Sequence, residues 1–235
     1  MNNLSFTRLP GLCAAGLAMT LAAGCGLMKP AATPQTSFYS LDSAPANARP
    51  ASRVGATLAS TAPTLIVNPP HAAAGFDSKR IVYVREPHKL EYYAHNQWVD
   101  TPARMYAPLI VAAVENSGAF RAVVQTPSAA AGDMRLDTEI IRLQHDFGSQ
   151  PSRMRFTLRA YIVDNTTRRV LAWREFDETS PSPSEDPHGG VVAANRAVRI
   201  VLDQLAAFCA EAAANWLPPG VESLKRAEGR SLLGR

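Results

Sequence analysis

The sequence contains few of the features that usually point to chemistry. It has three cysteines among 235 residues, and aromatic residues make up 7% of it. It lacks the Gly-x-Ser-x-Gly, His-Glu-x-x-His, Walker and Cys-x-x-Cys motifs, and no two of its five histidines have metal-ligand spacing. We therefore predict a protein that is not an enzyme, with no catalytic residues and no metal site.

The charge of the chain is also too weak to suggest a nucleic-acid partner. The formal net charge is +4, from 24 basic and 20 acidic residues that are dispersed along the sequence. Proteins that bind nucleic acids usually concentrate positive charge on one surface. After Gly24, no run of residues is long and apolar enough to span a bilayer.

The first 25 residues do carry a strong signal. A short apolar stretch from Gly11 to Gly24 follows the basic Arg8 and ends in small residues, which is typical of a secretory signal. Cys25 comes directly after these small residues and resembles the cysteine of a bacterial lipobox. The alternatives are an ordinary cleaved signal with a chance cysteine, or a signal anchor.

The lipobox resemblance implies a specific modification. The chain would be cleaved between Gly24 and Cys25, the thiol of Cys25 would carry a diacylglycerol, and its new amine would carry an acyl chain. Apart from these covalent lipids, we predict no cofactor. Gly26 stands where an aspartate marks retention in the inner membrane, so the resemblance implies a lipid-anchored protein of the outer membrane that faces the periplasm.

The rest of the chain divides into three parts by composition. Residues 25–62 are rich in Ala, Pro, Ser and Thr and predict a lipidated cysteine with a flexible tether, although Phe38 and Tyr39 could add to a sheet as an edge strand. Residues 63–216 predict one folded domain, and residues 217–235 a polar, mildly basic tail. Cys209 is left without a disulfide partner and lies in an apolar stripe, which favours a packing role.

The domain has the pattern of an α/β (α+β) fold. We expect a mixed, mostly antiparallel sheet with two helices packed on one face. The clearest strand runs from Arg153 to Ile162, where apolar and polar residues alternate, and a turn after Asp164 predicts a hairpin. The strand predictions are Thr64–Val67, Arg80–Arg85, Lys89–Tyr93, Phe120–Gln125, Arg135–Phe147, Met154–Ile162 and Val170–Thr179.

Two helices complete this prediction. The first is capped by Asp100 or Thr101, unless Pro108 delays its start, and it ends at Gly118. A polar loop from Ser180 to Gly190 precedes the second helix, which extends to about Trp216.

One segment combines aromatic and basic residues in a way that favours a protein interface. Aromatic and arginine side chains are common anchors of binding surfaces, although strand alternation predicts that some of these residues fill the core. The interface candidates are Arg80, Tyr83, Arg85, Tyr92, Tyr93 and Trp98.

The same region resembles the ABC-type transport auxiliary lipoprotein family, which includes the lipoprotein of the paraquat-inducible operon. The resemblance extends from about Phe38 to Trp216 and depends on the order and spacing of several short matches. These are Gly75–Tyr83, Leu90–Ala94, Trp98, Pro102–Met105, Gly118–Arg121, Leu136–Glu139 and Phe176.

The resemblance implies a function as well as a fold. Such lipoproteins accompany an ABC permease, its ATPase and a membrane-anchored protein with a mammalian-cell-entry (MCE) domain, and these systems are thought to move lipids between the two membranes. We therefore expect an auxiliary lipoprotein that binds an MCE-domain protein and that could also form a homo-oligomer. The alternatives are a lipoprotein that braces the envelope without transport and a periplasmic hydrolase, for which the sequence supplies no clustered nucleophile and base.

Overall fold

The computed structural model of the protein describes residues 35–42 and 62–217. The predicted signal peptide, Cys25, most of the predicted tether and all but the first residue of the predicted tail lie outside the described residues. No helix in the described ranges is long and apolar enough to cross a membrane.

Within these ranges, nine strands form one mixed sheet and two helices cover one of its faces. The fold predicted from the sequence is therefore confirmed. In chain order the elements are β1 Ser37–Tyr39, β2 Thr64–Val67, β3 His71–Ala72, β4 Arg80–Val84, β5 Glu91–Trp98, α1 Pro102–Ser117, β6 Ala122–Gln125, β7 Met134–Asp146, β8 Arg153–Asp164, β9 Val170–Pro181 and α2 Pro187–Ala214.

The long strand β7 organises the sheet. On one side it pairs antiparallel with β8, which pairs antiparallel with β9. On its other side, β2, β3 and β4 each pair in parallel with a successive part of β7. The sheet then continues from β2 to β6, and from β4 through β5 to β1. Strand β7 has a bulge between Ile140 and Arg142, where the apolar parity of its sequence changes.

The two faces of the sheet differ in chemistry. Met154, Phe156 and Leu158 of β8 point to the helices and are fully buried, whereas Arg155 and Arg159 lie on the opposite face. We call the side covered by α1 and α2 the helix face, and the other side the open face. The alternation predicted for β8 is thus confirmed, and apolar burial on the helix face stabilises the fold.

Helix α1 begins at Pro102 and contains Pro108, so the earlier of the two predicted starts is correct. It ends at Gly118, whose φ of 72° is in the left-handed region that glycine tolerates. Cys209 is buried in α2, as predicted from its stripe.

The loop predicted between Ser180 and Gly190 is wrong in length. Strand β9 extends to Pro181 and α2 already begins at Pro187, where Asp186 caps it by accepting a hydrogen bond from the Gly189 N–H at 2.7 Å. Polar residues and proline are common both in loops and at the start of helices. The composition of this segment therefore did not distinguish a loop from a helix cap. The helix ends at Ala214, two residues before the predicted end.

Candidate docking surface on the β4–β5 hairpin

Five of the six interface candidates lie on the β4–β5 hairpin and are at least partly exposed, but they do not form one patch. Val82 pairs with Tyr92, and the next pair along the hairpin is Arg80 with Gln97. Between these two pairs, one residue of β4 therefore opposes four residues of β5, which is a large bulge. Because successive side chains of a strand point to opposite faces, Tyr92 and Tyr93 separate onto the two faces of the sheet.

The open face of the hairpin carries one arginine–tyrosine pair. Tyr92 shares a row of the sheet with Val82, Gln144 and Arg155, and 37% of its side chain is exposed. The guanidinium of Arg80 lies 5.0 Å from the centre of the Tyr92 ring. A cation over an aromatic face is held electrostatically, so the pair is an ordered and accessible anchor.

The helix face carries a second pair at the rim of the helix layer. The guanidinium of Arg85 lies 5.0 Å from the centre of the Tyr83 ring, and the Tyr83 and Tyr93 rings are 4.6 Å apart. Phe147 contacts Tyr83 edge-on, with ring centres 6.1 Å apart. Arg85 is exposed while both tyrosines are half-buried, so only the outer part of this cluster is available to a partner.

Trp98 cannot belong to such a surface. It is 1% exposed and is part of the hydrophobic core, next to β1 through the pairing of Tyr39 with Trp98. The prediction of Trp98 as an interface residue was therefore wrong, and the core alternative for this residue is correct. The aromatic and basic composition of this segment suggested an interface. A tryptophan that fills the core at the end of a strand gives the same composition.

Behind the helix-face pair lies a buried polar cluster around His145. The imidazole is fully buried, with Nδ1 2.9 Å from the Tyr93 hydroxyl and Nε2 2.8 Å from the Ser152 hydroxyl. The Ser182 hydroxyl is 2.9 Å from the same Nε2. A Cβ on Gly190 would come within 2.5 Å of the ring, so only glycine lets the first turn of α2 pack on it. The imidazole therefore joins β5, β7 and the two ends of the β8–β9 hairpin to α2.

The charges around this cluster lie at its edge. Burial lowers the pKa of His145, although Glu185, Asp186 and Asp146 act in the opposite direction. The Ser152 N–H donates to Glu185 at 2.8 Å, and this bond lowers the pKa of that carboxyl. Burial raises the pKa of Tyr93, so its hydroxyl stays protonated. The cluster is therefore held as neutral hydrogen-bonding groups with carboxylates outside it.

This arrangement superficially resembles a serine–histidine catalytic pair. Ser152 is fully buried and Ser182 nearly so, and the group on the far side of His145 is a tyrosine hydroxyl where a triad has a carboxylate. A substrate would have to reach a hydroxyl that is closed off by α2. The geometry is therefore that of a buried hydrogen-bond network that holds elements of the fold together. Among residues 35–42 and 62–217, no three His, Cys, Asp or Glu side chains are grouped closely enough to hold a metal ion.

Sequence reasoning did not identify the role of His145. Its hydrogen-bonding partners Tyr93 and Ser182 are distant in sequence, so no local pattern contained the cluster. The sequence did contain an indication that His145 is buried. It lies two residues after Leu143, so strand alternation places both side chains on the same buried face.

Comparisons with known proteins agree with the fold. The family model of the ABC-type transport auxiliary lipoprotein component matches residues 39–206. A crystal structure of a Xanthomonas campestris protein of the family DUF330 is 23% identical, with a TM-score of 0.60 over 76% of this chain and 94% of that one. The crystal structure of an uncharacterised protein is 11% identical, with a TM-score of 0.57 over 74% of this chain and 99% of that one. No curated protein matches the sequence.

Proposed function

Because the chain belongs to the ABC-type transport auxiliary lipoprotein family, we propose that it is the lipid-anchored outer-membrane component of an MCE-type system that moves lipids between the two membranes. The observation that carries this proposal is the family match itself, which begins in β1 and ends within α2. It therefore includes β2 to β9 and α1 in full, the last residue of β1 and α2 as far as residue 206, so nearly the whole fold is the unit that the family shares.

The hairpin gives this function a specific surface. An auxiliary component without chemistry of its own has to act by binding, and binding energy is usually concentrated in a few aromatic and arginine anchors. The Arg80–Tyr92 pair is such an anchor, exposed on a face of the sheet that neither helix covers. We propose that this pair contacts the periplasmic MCE-domain protein, and that Arg85 with Tyr83 extends the contact around the rim of the hairpin.

The docking proposal is tested by co-purification. The full-length protein is solubilised in detergent together with the MCE-domain protein encoded beside it, and the bound fraction is compared between the native chain and the double variant Arg80→Ala/Tyr92→Ala. Removing a central anchor should weaken binding by at least about 1 kcal/mol, which is roughly a fivefold increase in Kd. Thermal melts of both chains should coincide, since both side chains lie outside the core.

A matched control exists on the same face. Arg159 and Tyr161 of β8 are also an arginine and a tyrosine on the open face, away from the hairpin, and Arg159→Ala/Tyr161→Ala should bind like the native chain. Equal losses in both double variants would mean that the hairpin is not the docking site. No binding by the native chain would favour the alternative of an envelope-bracing lipoprotein.

A further inference from the structure

The end of the β8–β9 hairpin concentrates exposed apolar side chains. At the start of β9, Val170 is 56% exposed, Leu171 46% and Trp173 62%. Leu217, which follows the end of α2, is 42% exposed. These four are nearly half of the nine large apolar side chains that are exposed in residues 35–42 and 62–217, so they do not reflect an even scatter over the surface.

A cavity joins these side chains into one patch. Leu171, Trp173 and Leu217 all line a cavity of about 420 Å³ between the start of β9 and the end of α2, and Val170 directly precedes Leu171. We call the four side chains the apolar tip. Contiguous exposed apolar patches of soluble domains usually mark a contact with a protein or a membrane.

Two arginines form the turn next to the apolar tip. Arg168 and Arg169 are exposed, and neither side chain has an ion-pair or hydrogen-bond partner among the described residues. The Asp164 carboxylate lies in the same turn, but it accepts hydrogen bonds from the N–H and the hydroxyl of Thr167 and acts on Arg169 only at longer range. The turn therefore presents two positive charges that no carboxylate pairs.

This combination fits a lipid surface better than a protein partner. Valine and leucine are under-represented among the residues that dominate protein interfaces. Segments that lie on membranes instead combine leucine and tryptophan with basic residues, because the apolar side chains enter the headgroup region and the cations meet anionic lipids. Glu211, which also lines the cavity, is 3.3 Å from Arg174, so its charge is offset.

We propose that the end of the β8–β9 hairpin rests on an anionic lipid surface. The apolar tip lies among the headgroups, and Arg168 and Arg169 bind lipid phosphates. The contact is peripheral and adds to the lipid anchor proposed for Cys25, since membrane binding that combines an acyl chain with a basic patch is stronger than either alone.

The position of the tip leaves the docking surface accessible. Tyr92 of the Arg80–Tyr92 pair shares a row of the sheet with Gln144 of β7. Val170 shares a row with Arg135 of β7, through β8. Nine residues of strand separate these rows, which is about 30 Å. The domain can therefore contact lipid at one end of the sheet while its partner binds near the other.

Quenching of tryptophan fluorescence by brominated phospholipids tests the proposal. The full-length protein is reconstituted from detergent into vesicles of phosphatidylcholine and phosphatidylglycerol, with and without brominated acyl chains and without any partner protein. The signal of Trp173 is the difference between the native chain and Trp173→Phe. We expect bromine to quench this signal, and to quench it less in vesicles of phosphatidylcholine alone, where the arginines meet no anionic headgroup.

Charge reversal at the turn should remove most of the quenching. Each arginine near an anionic surface contributes about fivefold in binding, so Arg168→Glu/Arg169→Glu should shift the equilibrium against contact by at least about 25-fold. Leu171→Asp should weaken the contact in both kinds of vesicle. The matched control Arg153→Glu/Arg199→Glu makes the same change of charge at exposed positions away from the tip and should keep the native quenching. Thermal melts of all variants should coincide, since every replaced side chain is exposed.

Three results would overturn the proposal. One is the absence of quenching that depends on Trp173 in either kind of vesicle. Another is an equal loss in the control double variant, which would mean that overall charge and not the tip determines the contact. The third is a Trp173 emission that changes with protein concentration and not with lipid, which would assign the apolar tip to a second copy of the chain. Native quenching without co-purification of the MCE-domain protein would uphold this inference and reject the docking proposal alone.

Discussion

At the scale of single residues, the environment of His145 has a consequence for acid stability. Its three hydrogen-bonding partners are neutral hydroxyls in a closed space, and burial lowers the pKa of the imidazole in the folded protein. An unfolded chain would titrate this histidine near its ordinary value of about 6.5. The folded state therefore binds fewer protons than the unfolded state at mildly acidic pH.

The sign of the effect follows from this difference. As the pH falls below about 6.5, the unfolded chain takes up a proton at His145 and the folded chain does not, so the free energy of unfolding decreases by up to about 1.4 kcal/mol per pH unit. Full stability returns above that pH. Urea denaturation between pH 8 and pH 5 measures the decrease.

His145→Gln removes the titrating group while keeping a hydrogen-bonding side chain, so it should be less stable at pH 8 but lose this part of the pH dependence. His95 lies exposed on β5, and His95→Gln should keep the native pH dependence. If His145→Gln retained the full native slope, another group would be responsible.

At the scale of elements, β8 predicts a sharp difference between neighbouring positions. Phe156 is fully buried and contacts the Tyr106 ring edge-on, with ring centres 5.5 Å apart. Phe156→Asp would bury a carboxylate without a partner and leave a cavity, which should cost more than about 4 kcal/mol and abolish the cooperative melt.

Arg155 is the matched control because it is one residue away on the open face. It is half-exposed, and its contact with Asp146 is long, 3.8 Å between nitrogen and oxygen. Exposed ion pairs contribute little, so Arg155→Asp should change the free energy of unfolding by less than about 1 kcal/mol. Similar losses in the two variants would contradict the assignment of faces on β8.

The sequence allowed prediction of the elements whose signal is local. The alternation in β8, the turn after Asp164 and the apolar stripe of α2 each depend on neighbouring residues, and all are present. The parallel pairing of β2, β3 and β4 with β7 depends on contacts between residues distant in sequence, so no local pattern contained it. The candidate site was predicted in part for the same reason: composition located the hairpin, but only its register separates Tyr92 from Tyr93 and places Trp98 in the core.

At the scale of the whole molecule, the proposed anchor predicts where the protein is found. Cys25→Ser removes the only atom proposed to carry the diacylglycerol, and two or more acyl chains are what make lipid anchoring stable. The variant should move from the membrane fraction to the soluble fraction and no longer incorporate labelled fatty acid. Cys209→Ser leaves Cys25 in place and should remain acylated. Acylation of the Cys25→Ser chain would exclude the anchor proposed here.

Strand β1 shortens the distance from the membrane that the proposed anchor would allow the domain to reach. The Val99 N–H donates to the Tyr39 carbonyl at 2.8 Å, and the side-chain amide of Asn195 on α2 bonds the Ser40 carbonyl and the Asp42 N–H. Residues 37–42 are thus fastened to the domain, and only residues 26–36 separate it from Cys25. Eleven residues span at most about 40 Å, roughly a third of what the full stretch to residue 62 would allow. With so short a tether, the domain would have to bind its partner close to the lipid surface.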